Sequence, residues 1–290
     1  MKWIIYLLGY LPLRWLQWIG ALLGFLTFQF SKSDRRYISE NTALAEKKYQ
    51  LNIDPLSCAK AAGMMLTDSL WIWRNPKKAL SMTEIRDWHL VETAFAEGRG
   101  LLMLTPHLGT FEMIPRVLAE HFTATIIYKP AKQAWLNELI EKGRSHPQMN
   151  FVPANLQGVR QVARALQRGE AVGILPDQVP GEGEGVWAPF FGQLAYTAVL
   201  PAKIANKNAV PTIIFSAIRK PKGQGWVMYA KRLSTPLSAI PSESAQQINK
   251  ALEEVIMDHP EQYLWSYNRY KAPMGVFAPV EESFIPKSIE

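Results

Sequence analysis

His107 and Glu112 stand five positions apart in Thr105-Pro106-His107-Leu108-Gly109-Thr110-Phe111-Glu112. An imidazole beside a carboxylate is the pairing that general-base chemistry on a hydroxyl needs. With five histidines and 25 acidic residues in 290, chance alone gives about 0.4 such pairs, so the spacing by itself carries little. On a continuous helix, residues five apart point about 140° away from each other and cannot meet. They meet if a strand over 101–104 ends near His107 and Glu112 lies in the first turn of the next helix, with Gly109 permitting the bend. The histidine would then take a proton from a hydroxyl, and the carboxylate would orient it and stabilise the imidazolium. The same residues also fit a helix amino terminus carrying a favourable glutamate beside an incidental histidine.

A second constellation runs Leu175-Pro176-Asp177-Gln178 and then Gly185-Val186-Trp187-Ala188-Pro189-Phe190-Phe191-Gly192. Asp177 follows a buried strand, and strand ends are where open α/β sheets place ligand groups. The glycine loop Gly181-Glu182-Gly183-Glu184-Gly185 and the aromatics behind it fit a lid over an apolar chain, or simply a turn aspartate followed by core aromatics. Arg160, Arg164 and Arg168 share one stripe of an amphipathic helix opposite Val159, Val162 and Leu166, either a solvated face or a surface for phosphates or an acidic partner. Lys129, Lys132, Lys142 and Arg144 are similarly ambiguous. His89, His121, His146 and His259 have no partner at a metal-ligand spacing. Cys58, the single cysteine, reads as a small buried hydrophobe and excludes an internal disulfide framework.

The elements that must position these residues follow from periodicity. Residues 33–98 read as helices, with apolar positions recurring through Ala59, Met64, Leu66, Leu70 and Trp73 up to the break at Asn75-Pro76. After Gly98, short apolar runs at 101–104, 124–128, 151–152 and 171–175 alternate with amphipathic stretches at 111–122, 135–144 and 159–166. A helix near 196–206, strands near 210–218 and 225–232 and a helix near 242–257 complete the pattern. The expected fold is α/β: a mixed, largely parallel sheet flanked by helices. In front of it, Trp3–Phe30 is interrupted mainly by Arg14 and Gln17 and reads as a membrane-anchoring helix, spanning or partly inserted with a break at Pro12. An ordinary buried helix is the alternative. Lys32, Arg35 and Arg36 follow it, which by the positive-inside rule puts the main body in the cytoplasm. The expected division is an anchor over 1–31 and a catalytic domain over 32–290, itself a helical lead-in (32–98) and an α/β core (99–290). The net charge of +7 suits an anionic lipid surface or an acidic partner, and nothing resembles a nucleic-acid-reading helix.

Taken in order, His107 with Glu112, Tyr128-Lys129-Pro130, Arg144, Gly158-Val159-Arg160, Pro176-Asp177-Gln178, Pro189-Phe190-Phe191-Gly192, Pro260-Glu261-Gln262-Tyr263-Leu264-Trp265 and Arg269-Tyr270-Lys271 resemble the bacterial lipid A biosynthesis lauroyl/myristoyl acyltransferases. The resemblance covers nearly the whole chain. It implies acyl transfer from an acyl carrier protein thioester to a hydroxyl of a lipid A precursor at the inner membrane. In that reading His107 and Glu112 form the dyad, and Arg144 and Asp177 are the further polar residues, with Gln178 and Arg160 beside them. Arg144 would serve an oxyanion or a phosphate, and Asp177 a cation or donor group. No metal or redox cofactor is implied. Another glycolipid or glycerolipid acceptor, or lipid binding without turnover, would use the same framework. Thr110 stands where family members commonly carry asparagine, so whatever that amide touches does not carry over.

Overall fold

A computed structural model describes residues 8–279. The chain opens with helices α1 (Leu13–Phe30), α2 (Lys32–Tyr49), α3 (Pro55–Arg74) and α4 (Pro76–Ser81), a short strand β1 (Thr83–Ile85) and helix α5 (Trp88–Ala96). The alternating part follows: β2 (Leu101–Leu104), α6 (Met113–Ala119), β3 (Ala124–Tyr128), α7 (Ala134–Arg144), β4 (Met149–Pro153), α8 (Leu156–Gln167) and β5 (Ala171–Ile174). A hairpin of β6 (Gly185–Phe190) and β7 (Gln193–Ala198) precedes α9 (Leu200–Asn208), β8 (Thr212–Arg219), β9 (Trp226–Arg232) and α10 (Pro241–Met257).

Among the described residues one seven-stranded sheet has the order β1-β9-β8-β2-β5-β3-β4. Its pairings are parallel except β8 with β9, so the mixed, largely parallel sheet expected from the sequence is the one observed. Strands buried on both faces need no polar alternation. Leu102, Leu104, Val172, Ile174 and Ile214 point into one core cluster with Val162, Leu166, Ile248 and Leu252. Their neighbours Leu101, Met103, Ala171, Ile213 and Phe215 point into the other, with Ile72, Ile114, Val117 and Leu118. Local signals set the helix ends: Asp54 accepts from the backbone N–H groups of Leu56 and Ser57 at the start of α3, and Asn155 accepts from Gly158 at the start of α8.

Three elements depart from the sequence reading because long-range pairing decides them. β1 lies inside the stretch expected to be helical and pairs with Trp226–Met228 of β9. The segment 185–192 is a strand and its turn, where Phe191 and Gly192 both adopt positive φ. The helix expected near 196 starts at Leu200 because β7 holds the preceding residues.

The spanning helix expected over Trp3–Phe30 is corrected by the structure. Its first residues, 3–7, lie outside the described residues. Pro12 interrupts the remainder, and α1 starts only at Leu13. Its 18 residues rise about 27 Å, short of a hydrocarbon layer of about 30 Å. No helix among the described residues is long and apolar enough to cross a membrane. One face of α1, with Leu13, Leu16, Gln17, Gly20 and Gly24, is buried, and α1 lies along α3 at backbone contact. A Cβ on Gly63 would sit 2.0 Å from the Gly20 carbonyl oxygen, and one on Gly24 would sit 2.1 Å from the Ala59 carbonyl oxygen. The opposite face exposes Trp15, Trp18, Leu22, Leu23, Leu26 and Phe30.

This contact sets the first expected outcome. Gly63→Val must force the two helix backbones apart, and overpacking of this kind costs about 3 kcal/mol. Urea unfolding should show the midpoint falling accordingly. An unchanged midpoint would mean that α1 does not stay seated on α3 in solution.

Candidate functional site

β2 and β5 are neighbours, parallel, with Leu104 opposite Ile174. The chain leaves both strands on the same side of the sheet, and the third residue past each end is His107 on one and Asp177 on the other. They meet: His107 Nδ1 lies 2.8 Å from Asp177 Oδ1, and the His107 backbone N–H donates to Oδ2 at 2.8 Å. The carboxylate therefore grips ring and backbone of one residue. Asp177 is only 2% exposed, and its second neighbours are the buried Tyr263 phenol and Arg269 guanidinium. Burial pushes the Asp177 carboxyl up, but the His107 imidazole and N–H groups and the Arg269 charge outweigh it, leaving the carboxyl below its ordinary range. Burial, with the Asp177 charge behind it, drives the Tyr263 hydroxyl well above its usual value, so it stays protonated. With Nδ1 donating to the carboxylate, Nε2 carries the free lone pair. The Gln178 side-chain nitrogen stands 3.3 Å from it, and the Phe111 ring meets the imidazole edge-on at 5.0 Å.

The turn that carries His107 is wedged between β8 and the segment after Pro260. Gly109 has φ +58°, and a Cβ there would lie 2.2 Å from the Ala217 carbonyl oxygen, so side-chain bulk is excluded. The Gly109 N–H donates to Gln262 O at 2.9 Å, Thr110 N–H to Ala217 O at 2.7 Å, and Leu264 N–H to His107 O at 3.0 Å.

Glu112 stands immediately before the first residue of α6 and is buried, with its carboxylate facing α3 and α7. It accepts from Arg144 Nε at 3.1 and 3.0 Å, from Arg144 Nη2, and from Trp73 Nε1 at 3.0 Å. Arg144, the last residue of α7, also lies over the rings of Phe151 and Tyr128, 5.1 and 5.7 Å from their centres. The imidazole–Glu112 contact suggested by the spacing is not among the hydrogen bonds of the described residues. Asp177 takes that place, because neighbouring strand ends bring it to Nδ1 whereas the start of α6 turns Glu112 toward Arg144.

His107, Glu112, Arg144 and Gln178 line one cavity of about 910 Å³, near the upper end for small-molecule sites. Its inner wall is apolar, formed by Met103, Ile114, Leu118, Ile126 and Phe215, while Lys129, Gly183 and Glu184 stand at its polar part. Asp177 lies behind the imidazole and does not line it. The aromatics expected to close over a chain do not: Phe190 and Phe191 are buried in the core, Phe191 against Tyr49 and Trp265. Arg160 and Arg164 stand on the exposed face of α8 outside the cavity, although Leu156 and Val159 of the same helix line it. Arg168 pairs with Glu170 and Lys142 with Glu138 at the surface. Cys58 is buried, and burial pushes its thiol up to about 12, which leaves it unreactive. Among the described residues no group of three or more His, Cys, Asp or Glu side chains is placed to hold a metal ion. The sequence reading missed Trp73 as a partner of Glu112 and the roles of Tyr263 and Arg269 around Asp177. The available signal was the equal offset of His107 and Asp177 from two apolar strands.

A family model described as "Bacterial lipid A biosynthesis acyltransferase" matches residues 2–272. The chain is 26% identical to the lipid A biosynthesis lauroyltransferase of Escherichia coli K12, over 94% of this chain and 91% of that protein. It is 24% identical to the lipid A biosynthesis palmitoleoyltransferase of the same strain, over 91% of this chain and 94% of that protein. A lipid A biosynthesis acyltransferase of Haemophilus influenzae is 24% identical over 89% of this chain and 82% of that protein.

The Asp177 environment has a pH signature. A carboxyl held below its ordinary range stabilises the fold above the unfolded carboxyl value of about 3.9, and that contribution is lost as pH falls through the lower folded value. Asp177→Asn should therefore be less stable than wild type at neutral pH, with the gap closing as pH falls below the unfolded carboxyl value and through the lower folded one. Urea unfolding at a series of pH values measures it, and a gap independent of pH would show that the charge is not what the fold uses.

Proposed function

The chain belongs to the bacterial lipid A biosynthesis acyltransferase family and is an acyltransferase of lipid A biosynthesis, and from that premise we propose that His107 is its general base, acting on a hydroxyl of a lipid A precursor with an acyl carrier protein thioester as donor. The observation that carries this reading is the imidazole held through Nδ1 and its own backbone by one buried carboxylate, with Nε2 turned to the cavity. As the acceptor oxygen attacks the thioester carbonyl carbon, its proton passes to Nε2. The tetrahedral oxyanion then collapses, the carbon–sulfur bond breaks, and the departing thiolate takes the proton back from the imidazolium. Asp177 fixes the tautomer and stabilises the imidazolium. Glu112 acts through Arg144: their two-point pairing orients the guanidinium at the cavity wall, leaving Nη1 for the oxyanion or for a phosphate of either substrate. Gln178, beside Nε2, is placed to hold the acceptor hydroxyl.

The apolar inner wall suits a fatty chain. The sequence relatives named lauroyltransferase and palmitoleoyltransferase point to a donor acyl chain in that size range. The donor carrier is acidic by this reading, and Arg160 and Arg164 give it a docking stripe on the helix that also lines the cavity. The acceptor is a lipid, so the enzyme works at a membrane surface. The outward face of α1, with Trp15 at 65%, Trp18 at 62% and Phe30 at 82% exposure, suits in-plane burial at the headgroup boundary, with the exposed Lys32, Arg35 and Arg36 beside it for anionic lipid. The anchoring role expected of residues 1–31 is retained in this form, with 32–290 as the catalytic domain on the cytoplasmic side of the inner membrane.

His107→Ala should remove at least about a hundredfold of kcat, the lower end of what a positioned base contributes, in an assay of carrier thioester and lipid A precursor read by product mass. Near-normal turnover in a folded variant would return His107 to an incidental neighbour of a helix start. Glu112→Ala and Arg144→Ala should each lower kcat, and the double variant should be little worse than either, because the pair acts as a unit.

Membrane binding has its own measurement. Trp18→Ala with Leu22→Ala should weaken co-sedimentation of the full chain with phosphatidylglycerol-containing vesicles by about tenfold or more, since each removes a large apolar side chain from the interface. Undiminished binding would take this face of α1 out of contact with lipid.

A further inference from the structure

Between His107 and Glu112, the side chain of Thr110 points away from the cavity into a buried polar cluster that the reaction as described does not use. Asp68, on α3, is fully buried. Its Oδ1 accepts from Gln17 Nε2 of α1 at 2.9 Å, and its Oδ2 accepts from Thr110 Oγ1 at 2.8 Å and from Arg219 Nε at 2.5 Å. Thr110 Oγ1 in turn accepts from Trp226 Nε1 at 2.9 Å. The hydroxyl is thus used as donor and acceptor at once, so its rotamer has no freedom left.

Stability does not account for this cluster. A buried ion pair of this kind gains little over well-packed apolar side chains, because both charges are stripped of water, and here Arg219 Nη2 is buried with no hydrogen-bond partner among the described residues. What the cluster does provide is direction. Gly109 gives the turn a pivot at positive φ, and backbone hydrogen bonds alone hold it to Ala217 and Gln262. Gln262 is itself fixed by Arg219, whose N–H donates to its Oε1 at 3.0 Å and whose carbonyl accepts from its Nε2 at 3.2 Å. The charged bond at Thr110 and the backbone bonds at Gly109 and Thr110 therefore all run back to Arg219 and the strand that carries it.

We propose that Asp68 is a positioning residue for acyl transfer: through Thr110 and Arg219 it fixes the turn that sets His107 between Asp177 and the cavity. The proposal rests on the reading of His107 as the base. A base displaced by about 1 Å can lose on the order of a hundredfold in rate without any loss of substrate contact. Neither Asp68 nor Thr110 lines the cavity, so the effect belongs in kcat and not in KM.

The test uses the full chain with the carrier thioester it turns over fastest from a dodecanoyl to hexadecanoyl series, and a lipid A precursor as acceptor. Thr110→Val keeps the shape and removes the hydroxyl; it should lower kcat by about 10- to 100-fold with KM within about threefold. Thr110→Ser restores the hydroxyl and should recover most of the lost kcat. Asp68→Asn should resemble Thr110→Val, with the double variant little worse than either. Folded fraction is read separately by circular dichroism and thermal melting. Wild-type kcat in Thr110→Val, or a loss that merely tracks the folded fraction and is not recovered by serine, overturns the proposal. His107→Ala, run in parallel, separates the two readings: if it is inactive while Thr110→Val is normal, only the positioning role fails, and if it is active, the base assignment itself fails.

Discussion

The in-register parallel pairing of β2 with β5 governs everything at the site. Parallel strands emerge on the same side of a sheet, and Leu104 opposite Ile174 puts equal lengths of chain past two adjacent ends. His107 and Asp177, 70 residues apart in sequence, are thereby held within one hydrogen bond of each other without either lying on a long loop. A one-residue change of register would turn the strand faces over. It would also carry the carboxylate off the imidazole. The β8 neighbour on the far side of β2 completes the arrangement, because Ala217 receives the turn through Thr110 and leaves no room for a Cβ at Gly109.

Two carboxylates that a sequence would treat as equivalent partners of one histidine are sorted by their surroundings. Asp177 sits behind the ring with Tyr263 and Arg269, and its charge is held by the imidazole and its backbone. Glu112 is matched by a guanidinium in a two-point pairing and by an indole N–H. A carboxylate so satisfied is poorly placed to serve a second cation, so each acid has its own partner: Asp177 the imidazole, Glu112 the guanidinium at the cavity wall.

The helices before the sheet join the exposed apolar face of α1 and the site in one body. α1 meets α3 backbone to backbone at Gly20, Gly24 and Gly63, and that closeness lets a short amide, Gln17, reach Asp68. α3 then contributes Asp68 to the turn and Trp73 to Glu112. The outward face of α1 is left with tryptophan, leucine and phenylalanine, while its inward face is set by the glycines and by Leu13 and Leu16, which join the core cluster that holds Trp71 and Ile72 of α3.

Much of the architecture was legible in the residues. Strands at 101–104 and 124–128 and helices at 135–144 and 242–257 follow from apolar period and punctuation, which are local properties. Their alternation gives a parallel sheet, and the types of His107, Glu112, Arg144, Asp177 and Gln178 mark them as the polar residues to bring together. Which of them touch was not legible. Strand order is set by burial across the whole sheet, so β5 beside β2 and β1 beside β9 are decided by contacts distant in sequence. The same holds for α1: composition shows an apolar segment, but only packing shows that one face is already buried on α3. For the carboxylates, sequence spacing favours Glu112, five residues from His107, over Asp177, far along the chain. The tertiary structure reverses that order, because a hydrogen bond depends on the distance between atoms and adjacent strand ends place Asp177 at 2.8 Å.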